Sequence, residues 1–380
     1  MNIKSVFLVC MTVVGITAGG LGGWLLNQAV FGYQLAGRIE SAVEVARLLL
    51  AVPEKLAAER VTTADRLLEE GAATPDALEK VAVSRRATDG AIAAAAAVIG
   101  AQDYPGRAEQ LAILARVQAD VNGGRGRVDE MIGKPRADRD PGFFGVYIGS
   151  TVVALAALDH ALDLGDLAAA QQDGVMMDLV QMARRGWQVR SLVATRTGAI
   201  LVAMNNKAPL APPLLERLAG VDSALDETWA TINSIAQRLS VIDGLGAKVT
   251  ASHAALAASD DMYRKVVEAG RHGGTYPVAP MAFGGDSVRG GLAALSIRDA
   301  ALQFAQDRTM KARGRALVAV IIVAACCVLL VIVVTGVLLL LSRRIVSPVV
   351  AMTNVIDRLA SGDHEVMLPR VARGDESAGW

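Results

Sequence analysis

The stretch LVAVIIVAACCVLLVIVVTGVLLLL, residues 317–341, holds 25 residues without a charge and decides the fold class of the chain. About 20 apolar residues cross a bilayer as a helix, because a helix satisfies its own backbone N–H and C=O groups where no water can. A second run, residues 5–31, is almost uncharged and opens the chain. Lys4 precedes the first run and Arg343-Arg344 follow the second, which predicts that the leader, residues 1–4, and the C-terminus are both cytoplasmic. Lys311, Arg313 and Arg315, on the other flank of the second run, pull the opposite way. A cleaved leader would also place Lys4 ahead of an apolar run, with small residues at ITAGG. This run continues through Trp24, Leu25 and Leu26, beyond the roughly 7–15 residues of such leaders, and favours a retained span. Gly15, Gly19 and Gly23, spaced by four, would allow close helix contact.

Composition points the same way. Of 380 residues, 53% are hydrophobic but only 4% aromatic, a mix dominated by Ala, Leu and Val that favours helices. All-α is the expected class. Basic and acidic residues number 38 each, so no charge excess suggests a nucleic-acid partner. Cys10, Cys326 and Cys327 all lie in apolar runs, so no disulfide is expected between the spans, and the four histidines lack helical metal-ligand spacing. No metal or cofactor is predicted. GGRGR and GGDSVRGG follow no recognisable strand, so phosphate-loop chemistry and catalysis are not expected either.

Residues 32–312 contain no further run judged long enough to cross, so they are expected to form a periplasmic all-helical domain between two spans of a bacterial inner membrane. The first helix is read from Gly32 to Gly71, kinked at Pro53. At about 1.5 Å per residue it would reach roughly 60 Å, which implies an elongated bundle. LAAER at 56–60 echoes LVATR at 192–196, TPDALEKV at 74–81 echoes APPLLERL at 211–218, and ATDGAI at 87–92 echoes GVDSAL at 220–225. The offsets are 136, 137 and 133 residues, and they predict two similar helical halves, about 33–140 and 141–312. The glycine- and charge-rich stretches 122–145 and 271–291 are read as long loops, and residues 292–317 as a last helix feeding the second span.

Beyond Arg344 the chain reads IVSPVVAMTNVIDRLASGDHEVMLPRVARGDE, residues 345–376. Ile345, Val349, Met352, Ile356 and Leu359 form an a/d stripe, Gly362 stops the helix and Pro369 marks an extended connector. The stretch resembles the HAMP relay of chemoreceptors, sensor kinases and diguanylate cyclases. The resemblance rests on Pro348, LASGD at 359–363, Leu368-Pro369 and Asp375-Glu376, directly behind a span. It implies relay roles for Pro348, Met352, Ile356, Leu359, Gly362, Asp363, Pro369, Asp375 and Glu376. It covers about 35 residues within a partial relay at 342–380 and lacks the second helix, so output is expected on another chain. It also implies a homodimer, or a heterodimer with a related receptor.

A second resemblance covers residues 40–310. LAAERVTTADRLL, SRRATDGAIAA, LVATRTGAILVAM and LERLAGVDSALDETW are similar to the nitrate- and nitrite-sensing NIT family, in which SRRATD would open the return helix. The resemblance implies a planar oxyanion held by guanidinium forks. Arg60 and Arg196 hold matched repeat positions and are expected to face each other, with Arg190 and Arg86 as further candidates beside Arg85 and Arg217. Each could instead be a surface residue paired with an acid such as Glu59 or Asp89. The function expected is a transmembrane receptor for a small periplasmic anion. The alternatives are a receptor for organic acids or for a binding-protein partner, and a ligandless membrane coiled coil that heterodimerises with intact receptors.

Overall fold

The structure is a computed structural model that describes residues 3–170, 174–242 and 244–360. It is all-α, with no strand among the described residues. In chain order the helices are α1 (Ile3–Leu68), α2 (Pro75–Gly100), α3 (Arg107–Ile132), α4 (Phe143–Ala170), α5 (Gly174–Asn205), α6 (Pro212–Arg238), α7 (Leu245–Arg271), α8 (Pro280–Leu341) and α9 (Ser347–Ala360). The chain divides into two compact units, Gly37–Lys311 and a second made of Met1–Ala36 with Ala312–Trp380.

In the Gly37–Lys311 unit, local chemistry sets the helix ends. Thr74 caps α2 by accepting the Ala77 N–H, Pro75 supplies the preset φ of a first helical position, and Asp76 complements the helix dipole. Gly106 and Gly244 cap α3 and α7 with φ of 90° and 83°, a left-handed backbone that any side chain would strain. The end of α1 is closed by Arg139, 8% exposed, whose guanidinium donates to the carbonyls of Arg66, Leu67, Glu69, Gly71 and Lys134. A cation satisfying the last carbonyls of a helix is favoured by charge as well as by hydrogen bonding. Pro53 lies inside α1, which continues through it.

Sequential helices pack against each other: α2 on α3, α3 on α4, α4 on α5, α5 on α6 and α6 on α7. One large core joins Leu49, Leu50 and Leu56 of α1 to Leu179 and Met182 of α5, Ile232 of α6 and Ala301 of α8. Two smaller clusters lie apart from it. One holds Leu67, Val81, Val128 and Phe143, and the other Met204, Leu218, Val266 and Phe283.

Three expectations about this unit are corrected. Residues 122–132 belong to α3, so the connection to α4 is only residues 133–142, with a 3-10 turn at Arg136–Asp138. The second expected loop shrinks likewise to residues 272–279, because α8 starts at Pro280. Arg85 to Asp89 lie in the middle of α2, not at its opening.

In the second unit, Cys327 of α8 donates to the Gly22 carbonyl of α1 at 3.5 Å, and a Cβ at Gly22 would meet its Sγ at 3.2 Å. Arg313 lies over Tyr33, 5.4 Å from the ring centroid, and donates to its hydroxyl. The Gly15, Gly19 and Gly23 stripe points elsewhere, since a Cβ on any of them would meet nothing within 4 Å. A π-turn, Ser342–Val346, joins α8 to α9. Pro348 stands at the start of α9, and Met352 and Ile356 are exposed. Leu359 ends the stripe within α9, its side chain outside what is described, and Gly362, Asp363, Pro369, Asp375 and Glu376 lie outside the described residues.

Two helices are long and apolar enough to cross a membrane: Phe143–Leu164, with mean hydropathy 1.4, and a segment within Pro280–Thr353, with mean hydropathy 3.6. The first was not expected from the sequence. It packs on α3 and α5 through Ala154, Leu158, Ala161 and Leu162 while Val146, Val152 and Val153 face outward. The N-terminal run is helical, with Ile16 and Leu21 exposed.

Candidate functional site

The arginines of the Gly37–Lys311 unit separate into those that are neutralised and those that are not. Arg125 of α3 bridges Glu59 of α1 and Asp89 of α2, each contact at 2.9 Å. Arg196 of α5, 3% exposed, holds Asp222 of α6 at 3.3 Å and also Asp260 of α7. It lies 4.1 Å over the Tyr263 ring, whose hydroxyl donates to Asp222 at 2.8 Å. Burial, then the Asp222 carboxylate, push the Tyr263 hydroxyl far above its ordinary pKa. Both clusters are closed: every charge in them has an opposite charge in contact.

Arg60 of α1 and Arg190 of α5 differ. Both are half-buried, and neither guanidinium has a hydrogen bond or ion pair to a described residue. Burial lowers the pKa of Arg60, and burial followed by the charge of Arg60 lowers that of Arg190. The charge of Arg60 is thus felt at Arg190, and both cations lie in surroundings where a charge is costly. Arg190 packs over Trp187, 5.7 Å from the ring centroid, and a Cβ at Gly291 of α8 would stand 3.5 Å from its Cγ. The Tyr147 hydroxyl of α4 lies beside the buried Thr63 hydroxyl of α1 and near Arg60. Forked cations with hydroxyls nearby have the donor chemistry that suits a small oxyanion.

Of the expected facing pair, Arg196 is held by Asp222 and Asp260, whereas Arg60 has no ion pair with a described residue. Arg196 meets α6 and α7 through Asp222 and Asp260. Arg190 lies six residues before it, turned by about 240° around the helix, and packs beside Gly291 of α8 instead. Arg86 is not part of either group: it is exposed and pairs with Glu79 at 2.6 Å on the same helix. Arg85 turns away toward Asp129 at 2.8 Å. Tyr147, Thr63 and Trp187 carried no signal in the sequence, because hydroxyls and aromatics on helices are common and only the fold brings these three near Arg60 and Arg190. Among the described residues no group of His, Cys, Asp and Glu could hold a metal ion.

Comparison with known protein families, with curated proteins and with solved structures returned no match for this chain.

Proposed function

We propose that the protein is a membrane-anchored receptor that binds a small planar oxyanion, nitrate or nitrite, between Arg60 and Arg190. The observation that carries the reading is that these two half-buried guanidinium groups are mutually repelling and lack a contacting carboxylate, while Arg125, Arg196 and Arg298 of the same unit each hold acids. A fold retains such a pair at a cost that a bound anion offsets. The domain reads as two four-helix halves, α1–α4 and α5–α8, which moves the expected boundary from about residue 140 to the junction of α4 and α5. In support, α2 and α6 begin 137 residues apart, and so do α4 and α8. Leu67 with Met204 and Val81 with Leu218 keep the same offset in the two smaller clusters. This common offset replaces the shorter one drawn from residues 87–92, which would slip α6 by about one turn. The anion would then lie where the halves meet.

The second span and α9 are read as the output path, continuous in sequence with α8. Exposed Met352 and Ile356 suit a parallel seam with a second chain, as a HAMP relay requires. Ligand binding shifts such a device only by preferring one of its states.

Calorimetric titration of the full chain in detergent micelles with nitrate, nitrite and a panel of carboxylates tests the reading. Saturable nitrate or nitrite binding that falls by at least tenfold in both Arg60→Gln and Arg190→Gln is expected. Carboxylate binding at the same arginines would move the protein to the organic-acid class, and silence across the panel would favour the ligandless coiled coil.

A further inference from the structure

The acid nearest in effect to Arg190 is Glu54 of α1, yet its carboxylate is committed elsewhere. Arg298 of α8 donates to it at 2.5 Å, and Lys55 lies 3.3 Å from its other oxygen. Arg298 is 8% exposed and also holds Asp299 at 2.7 Å. The packing around this pair leaves little room. A Cβ at Gly186 of α5 would stand 3.0 Å from both the Ala294 carbonyl and the Arg298 backbone nitrogen of α8. Glu54 of α1 thus touches Arg298 of α8, and on the same packed α5–α8 seam Gly186 meets Arg298 and Arg190 meets Gly291, with the charges of Arg60, Glu54 and Arg298 all felt at Arg190.

We infer that Glu54 is the internal counter-ion of the Arg60–Arg190 site and that Arg298 sets the strength of anion binding by holding Glu54 away from Arg190. The inference rests on the anion-binding reading above. With Arg298 in place, Glu54 is drawn toward α8 and Arg190 is left to an incoming anion. A bound anion repels Glu54 toward Arg298, so the site and the α1–α8 contact strengthen each other by the same factor. Glu54 and Arg298 are positioning residues here, since neither needs to touch the ligand.

This makes opposite predictions for the two members of one ion pair. Removing the charge of Glu54 takes a negative group from the neighbourhood of the anion, and removing that of Arg298 frees Glu54 to neutralise Arg190. Nitrate titration of the full chain in micelles should show roughly tenfold tighter binding in Glu54→Gln and roughly tenfold weaker binding in Arg298→Gln. Circular dichroism should show unchanged helix content in each variant. Loss of affinity in both variants would mean that the bridge only holds the helices together, and would overturn the inference. Should Arg298→Gln fail to fold, Glu54→Gln decides alone: tighter binding supports the inference, and unchanged or weaker binding overturns it. Wild-type protein that binds nitrate through Arg60 and Arg190 but is indifferent to Glu54 leaves the receptor reading standing and removes only this step. Wild-type protein that takes no nitrate overturns both.

Discussion

Arg60 and Arg196, aligned by the LAAER and LVATR stretches, differ in their contacts. Arg196 is closed by Asp222 and Asp260, so Arg196→Leu leaves two carboxylates without their cation and should destabilise the chain by about 3 kcal/mol, read by denaturant unfolding. Arg86→Ala, on an exposed helix surface, should change stability by no more than about 0.5 kcal/mol. Glu54 supplies a pH dependence. Burial raises its pKa most, but the charge and hydrogen bond of Arg298, together with Lys55, outweigh burial and hold the carboxyl below its ordinary value. Its contribution is present above the unfolded-state pKa, about 4.3, and is lost as pH falls through the lower folded value. Acid unfolding followed by circular dichroism should therefore begin less steeply in Glu54→Gln. At this scale the sequence pointed to Arg60, Arg190 and Arg196 as candidates, but not to the acids Asp222 and Asp260 that hold Arg196. A repeat fixes equivalence, and which side chains converge depends on how the halves pack, which no spacing encodes.

At the scale of elements, the helical period and the end signals were legible: Thr74-Pro75 opens α2, the last helix runs into the apolar stretch, and Leu68 closes α1 just before Gly71. The long loops were misread because Gly123, Gly124 and Gly126 were taken as breakers. They lie in α3 where a Cβ would meet nothing, and buried Val117 and Val128 on either side hold the helix through them, against about 1 kcal/mol per glycine. Gly124→Ala should accordingly stabilise the chain by about 0.5–1 kcal/mol. Gly186→Ala should do the reverse by about 1–3 kcal/mol, since its new methyl group would press on the backbone of α8 at 3.0 Å. Thermal unfolding of the two variants reads both signs.

At the scale of the whole molecule, hydropathy alone ranks Phe143–Leu164 with the C-terminal span, and the packing of α4 on α3 and α5 separates them. If α4 belongs to a domain outside the bilayer, as proposed, its outer face should admit water. In a background with Cys10, Cys326 and Cys327 replaced by Ala, Val153→Cys should react in intact membranes with an impermeant maleimide, whereas Ile332→Cys should not. Protection of Val153→Cys would make α4 a span and reverse the topology beyond it.

The account turns on an anion shared by Arg60 and Arg190, and the most direct measurement is heteronuclear NMR of the arginine side chains in the full chain during nitrate titration. The guanidinium resonances of Arg60 and Arg190 should shift together and saturate with one affinity, while those of Arg196, closed by its own acids, stay in place. Unmoved Arg60 and Arg190 resonances at saturating nitrate, or shifts spread evenly over all exposed arginines, would contradict the account.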